Sequence, residues 1–295
     1  MQKLWIRLAL LGFLAAGAAS AQVCGETLFG QGFEFGDFSD WSGVFVGTGV
    51  PTPPTVERIG TLALRDPHVF IDAGIFGCID VTDDVAVPGV DSINELIQAD
   101  LNQDGDGDGC LDTSLLVALR PFTQTATGTE TLDLRSGQCS SSTVCHPADG
   151  GVGSRTLYDT QSVVQCLDPL PATTSGYSPA VAPVDAPCLV SDLGTVQLAF
   201  LGDVPLTLQD ARVAARFDQD DLVGGLLFGF LSEAEADAFI LPADLPVVGG
   251  QALSSLFPGG TDNCAAGDDR DVHEGQSGWW LYFQFSAAAV PWTSL

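Results

Sequence analysis

The chain has 295 residues, with 10 Lys and Arg against 38 Asp and Glu and a formal net charge of −28. A charge of that sign repels nucleic acid and anionic lipid, which excludes both as partners. A hydrophobic content of 45% against 16% charged residues is enough to build a core and excludes a disordered acidic tail.

Residues 1–21 carry Lys3 and Arg7, the apolar run LALLGFLAA and then Ala19, Ser20 and Ala21, the layout of a secretory signal peptide cut before Gln22. Cleavage removes the chain's one lysine and leaves eight basic residues, all Arg. The residues before Cys24 are not those of a lipoprotein anchor. No later apolar run reaches the roughly 18 residues of a membrane span. The expected location is therefore secreted or periplasmic, without membrane insertion. Eight cysteines suit such an oxidising compartment and allow up to four disulfides. Short loops predict Cys139 with Cys145 and Cys166 with Cys188; a third pairing, Cys78 with Cys110, leaves Cys24 and Cys264 over. The absence of any C-x-x-C spacing disfavours zinc and dithiol redox chemistry.

Residues 22–135 read as a first β-rich segment. Its opening, GFEFGDFSDWSG at 32–43, resembles the first strand and turn of bacterial secreted jelly-roll and sandwich domains, some of which bind carbohydrate. Trp41 in it reads as a core anchor. Strands are predicted at 61–64, 68–72 and 76–81, separated by turn residues. A helix follows at 92–99, with Ile93, Leu96 and Ile97 at helical spacing.

The helix leads into DLNQDGDGDGCLD, residues 100–112. Counting from Asp104, carboxylates fall at positions one, three and five (Asp104, Asp106, Asp108), a glycine at six (Gly109) and another carboxylate at nine (Asp112). Hard cations take six to eight oxygens from such alternating carboxylates around a sharp glycine turn, so the cofactor predicted is calcium. Cys110 would contribute its backbone carbonyl and leave its sulfur for a disulfide. Asp100 and Asn102, in the same alternating phase, either complete the ligand shell or hold a second ion. Position twelve is Leu115, so the closing glutamate of an EF-hand is missing. The loop resembles those of thrombospondin type 3 repeats and dockerin modules, over about a dozen residues and without their repetition.

Beyond the loop, 115–122 is an apolar run of strand length. Residues 136–187 shift to Ser, Gly, Pro, Thr and Asp with three cysteines, which predicts a disulfide-stapled irregular excursion. Residues 188–295 read as a second β-rich segment that packs with 22–135 as one unit. Strands are predicted at 195–201, 207–217 and 222–230, and Ser232 with Glu235 forms a capping box before a short helix. A second acidic loop offers Asp262, Asp268, Asp269, Asp271 and Glu274 without regular alternation. In the closing strand, Trp279, Leu281, Phe283 and Phe285 form a core face. The other face, Trp280, Tyr282 and Gln284, is either buried under another sheet or a strip for stacking on sugar rings.

The three histidines, His68, His146 and His273, show no catalytic spacing, and Asp66 and His68, two residues apart around a proline, read as structural. No G-x-S-x-G, H-E-x-x-H or phosphate-binding glycine loop is present. The fold class expected is mainly β, an antiparallel sandwich or jelly-roll-like architecture with one or two short helices and a disulfide-rich irregular region. The function expected is a secreted, calcium-stabilised, non-enzymatic binding, adhesion or matrix module with a carbohydrate or extracellular protein as partner. The alternative is a calcium-dependent extracellular hydrolase directed at glycans.

Overall fold

The structure is a computed structural model and describes residues 54–83, 85, 91–105, 107, 109–120, 129–147, 153–161, 165–198, 205–243, 245 and 247–291. The predicted signal peptide, the jelly-roll-like opening with Trp41, and Asp106 and Asp108 lie outside the described residues. In chain order the elements are β1 (Thr55–Asp66), β2 (Phe70–Asp72), β3 (Cys78–Asp80), α1 (Ile93–Asn102), β4 (Leu115–Arg120), β5 (Thr129–Ser141), β6 (Val144–Pro147), β7 (Gly153–Gln161), β8 (Gln165–Leu167), β9 (Val184–Asp185), β10 (Cys188–Leu198), β11 (Leu206–Asp218), β12 (Asp221–Ser232), α2 (Glu233–Ala238), β13 (Asp271–His273) and β14 (Gln276–Val290).

The mainly antiparallel β class expected from the sequence is what the chain adopts. Its main sheet runs β1-β4-β5-β7-β10-β11-β12-β14, and β14 pairs back onto β1. One sheet wraps around one core, an up-and-down barrel of eight strands in which each strand lies beside its neighbour in the series. Closure leaves the barrel strands without an open edge apart from the short β13 and β6 additions.

Residues opposite one another on neighbouring strands share a face, and the register assigns the interior. Leu62 and Leu64 oppose Phe285 and Phe283, Leu227 opposes Phe283, Leu231 opposes Trp279, and Leu119 and Val117 oppose Leu132 and Leu134. All of these belong to one buried apolar cluster. The outer face carries charged pairs such as Asp192 with Arg212. No helix among the described residues is long and apolar enough to cross a membrane.

One end of the barrel is capped. Helix α1 starts at a capping box in which Ser92 and Glu95 satisfy each other's amides, and it buries Ile93, Ile97 and Leu101. Its polar side binds β1: the Asn94 side chain bonds both backbone groups of Leu64, Gln98 bonds the Gly60 carbonyl, and Arg58 donates to the Leu101 carbonyl and the Asn102 side chain. Ala236, Phe239, Leu241, Leu256 and Phe257 complete the cap. A cavity of about 30 Å³ with an apolar lining remains beneath it, bordered by residues such as Leu64, Ile97, Phe257 and Phe283.

The outer aromatic face of β12 and β14 is covered as well. Phe228, Phe230, Trp280 and Tyr282 pack under Leu167 and Val184 of the two-stranded β8–β9 sheet. This is burial beneath a second sheet rather than an exposed sugar platform. The region 136–187 proves more regular than its composition suggests, because β5 and β7 are full barrel strands and the irregular part starts only after β7.

Disulfides Cys139–Cys145 and Cys166–Cys188 form as predicted. The predicted Cys78–Cys110 pair does not: Cys78 joins Cys264, and Cys110 is in a different disulfide. The reason is positional. The β2–β3 hairpin projects toward the loop that precedes β13, whereas Cys110 sits beside β5, where the Leu111 amide bonds the Cys139 carbonyl.

Candidate functional site

The polar residues organised most tightly gather where β1 leaves the barrel. Between Leu64 and Asp66 the β1–β14 register slips by one residue, so that Leu64 opposes Phe283 but Asp66 opposes Tyr282. An extra residue in one strand of a ladder reverses the inside–outside alternation, and Asp66 is thereby turned from the core to the outer face. There it is 3% exposed, and its Oδ2 accepts the Ser175 amide at 2.8 Å. Burial pushes its pKa up to about 6; the Ser175 amide opposes this, while Asp269 and Asp271 add to it.

His68 follows. Its Nδ1 lies 2.5 Å from Oδ2 of Asp80, which the β2–β3 hairpin folds back beside it. Against a burial that pushes Asp80 up, the His68 hydrogen bond and the Thr82 amide and hydroxyl hold its carboxyl below the usual range. With Nδ1 engaged, Nε2 is left buried and without a hydrogen-bond partner. The Tyr177 ring stacks on the imidazole, with centroids 4.0 Å apart and planes 10° from parallel. Its hydroxyl donates to Oδ2 of Asp269 at 2.5 Å. Burial and that carboxylate raise the phenol's pKa.

Four separate stretches meet here, and covalent and polar ties hold them. Cys78–Cys264 links the hairpin carrying Asp80 to the loop carrying Asp269. Cys166–Cys188 ties the Tyr177 segment to β10. The Tyr282 hydroxyl accepts the Leu170 amide at 3.1 Å and bonds Thr173, which lays that segment over β14. Between segment and barrel lies a pocket of about 70 Å³ lined by Asp66, Pro169, Thr174, Gly176, Tyr177, Ala180 and Val181.

The sequence named Asp66, His68 and Asp269 but separated them: it read Asp66 and His68 as a local pair, whereas the partner of His68 is Asp80. Tyr177 carried no signal, since nothing local distinguishes it from the turn residues around it. The second acidic loop does not converge. Asp268 pairs with Arg270, Asp269 serves Tyr177, and Glu274 lies with Asp210 and His273 across the outside of the barrel. Those three are the one group among the described residues whose ligating atoms all fall within 4.8 Å, with Nε2 of His273 2.5 Å from Asp210.

In the predicted calcium loop, the Asp104 carboxylate accepts the amides of Gly107 at 2.7 Å and Gly109 at 2.9 Å, and Asp112 accepts that of Gly105 at 2.9 Å. The ends are tied by Asp112 N–H to the Gln103 carbonyl and Thr113 N–H to that of Asp100. Asn102 turns away toward Gly60, Gln98 and Arg58. Asp104 and Asp112, with the Asp100 and Cys110 backbones, therefore belong to one folded loop, while Asn102 belongs to the α1–β1 contact.

No protein-family model, curated protein or solved structure matches this chain.

Proposed function

We propose that this is an extracellular binding protein: a rigid barrel, braced by disulfides and by calcium at the 100–112 loop, that recognises a small chemical group in the Asp66 pocket. The observation that carries this reading is the seal over His68. Its free Nε2 is buried under the Tyr177 ring, so the arrangement closest to an acid–base pair cannot reach a substrate, whereas the pocket beside it is open to a side group of a larger ligand. Oxidising export is supported by the disulfides. Calcium is supported by the inward turn of Asp104 and Asp112, whose carboxylates already organise the loop backbone.

The test is binding of the oxidised protein to immobilised chitin, chitosan, peptidoglycan and matrix proteins, with and without calcium, comparing wild type with a pocket-filling Ala180→Leu variant. Binding by wild type and its loss in the variant are expected. Equal binding by both would remove the pocket as the site.

The Asp80–His68 pair favours one second reading, an extracellular hydrolase opened by movement of Tyr177. A Tyr177→Ala variant that gained glycan or ester hydrolysis, with loss on further change of His68→Ala, would support it.

A further inference from the structure

If the Asp66 pocket binds, as proposed above, its walls decide what it takes. Of the seven lining residues, Asp66 alone carries charge. An ionised carboxylate has about four acceptor positions, and this one receives the Ser175 amide. Asp269 and Asp271 stand close enough to add like charge, which His68 offsets only in part. Among the described residues, no ion pair engages any of these three carboxylates: Arg65 pairs with Asp83, and Arg270 with Asp268 and Glu233. A buried carboxylate in such a field is electrostatically incomplete, and the group that completes it is a cation.

The walls then separate one cation from another. A hard metal ion needs six or more oxygens, and the pocket offers one carboxylate and the Thr174 hydroxyl among its side chains besides the tyrosine hydroxyl committed to Asp269. Pro169, Ala180, Val181 and the Tyr177 ring are instead suited to alkyl carbon and to the attraction of an organic cation for an aromatic ring. A guanidinium needs a planar pair of acceptors; a single carboxylate with one oxygen already taken by an amide fits an ammonium, which behaves as a point charge. We infer that the pocket binds a primary alkylammonium group, its nitrogen on Asp66 and its carbon stem against Tyr177, Ala180 and Val181. The chain's own composition agrees, since its one lysine lies in the predicted signal peptide and leaves no internal side-chain ammonium to compete. The same chemistry comes from two sources, the lysyl side chain of a protein and the amine of a deacetylated amino sugar.

The experiment is NMR titration of the oxidised full-length exported protein, following pocket methyl and Tyr177 resonances. The probes are n-butylammonium, N-acetyl-lysine methylamide and glucosamine, against the uncharged N-acetylnorleucine methylamide and N-acetylglucosamine. Saturable shifts by the amines are expected, at least tenfold tighter than by the matched uncharged compounds, weakened at least tenfold by Asp66→Asn and by Ala180→Leu, and reduced by salt. Preference between the lysyl and sugar probes identifies the source. Ala180→Leu keeps the carboxylate and decides the matter should Asp66→Asn fail to fold. Equal binding of charged and uncharged probes at the pocket would overturn the ammonium assignment while leaving a binding site there. Shifts by none of the five would overturn both.

Discussion

Gly225 lies directly opposite Phe285 across the β12–β14 ladder, and the phenyl ring fills the place of the missing side chain: a Cβ at 225 would sit 2.4 Å from its Cε1. The two residues form one packing unit of the barrel interior. Gly225→Ala should therefore destabilise the protein by about 1–3 kcal/mol through overpacking. A second change, Phe285→Leu, should cost less in the Gly225→Ala background than alone. Urea unfolding of the four proteins gives the coupling; strict additivity would show that the ring has room to move.

Glu57 opposes Val117 inside the barrel. It is fully buried, and both carboxyl oxygens lack hydrogen-bond partners. Burial first, then Asp221 and Asp220, push its pKa up to about 8. The folded state thus holds this proton more tightly than the unfolded chain does, so stability is greatest below the ordinary glutamate range and falls as pH rises from about 4.5 to about 8. Glu57→Gln should abolish that fall and leave the variant more stable than wild type at pH 8.5, by a few kcal/mol. Thermal midpoints from pH 4 to 9 check it, and parallel curves for the two proteins would count against a protonated Glu57.

Calcium added after chelation should raise the thermal midpoint of wild type by several degrees, because a site formed only in the folded chain converts binding energy into stability. In Asp104→Ala/Asp106→Ala the rise should vanish. A rise of equal size in both would place the ion elsewhere, and the Asp210, His273 and Glu274 group would be the next to mutate.

The disulfides should differ in weight. Cys78–Cys264 closes a loop of 186 residues and Cys139–Cys145 one of 6. In the chain-entropy description these constrain the unfolded chain by about 5 and about 2 kcal/mol. Paired Ser replacements should lower stability in that order. Loss of the longer bridge should also weaken the ligand binding proposed at Asp66, since it links the hairpin carrying Asp80 to the loop carrying Asp269. A thermal shift larger for loss of Cys139–Cys145 would reverse the order.

What could be read from residues alone was local. The alternation of Trp279, Leu281, Phe283 and Phe285 marks a strand because a period of two is written in five or six neighbours, and the Ser92–Glu95 box marks a helix start for the same reason. Strands β5 and β7 escaped notice because their interior positions are sparse in large apolar residues: Leu132 and Leu134 in one and Tyr158 in the other, among Ser, Thr, Gly and Asp. The site was less legible still. Asp66 and Ser175 are 109 residues apart and Tyr177 and Asp269 are 92 apart. Their meeting depends on a register slip at Arg65 and on a hairpin pinned by Cys264, neither of which has a signature in composition. The aspartate that engages His68 was chosen by the fold of β2 onto β3, not by proximity along the chain.

The seam between β1 and β14 joins Thr61 to Ser286 across 225 residues. Until the last strand exists, β1 and β12 are two bare edges of an unfinished sheet, each with a row of unmatched amides and carbonyls able to recruit another chain. Closure cannot be reached during synthesis before β14 is made. Any truncation that removes β14 turns a sealed cylinder into an adhesive ribbon.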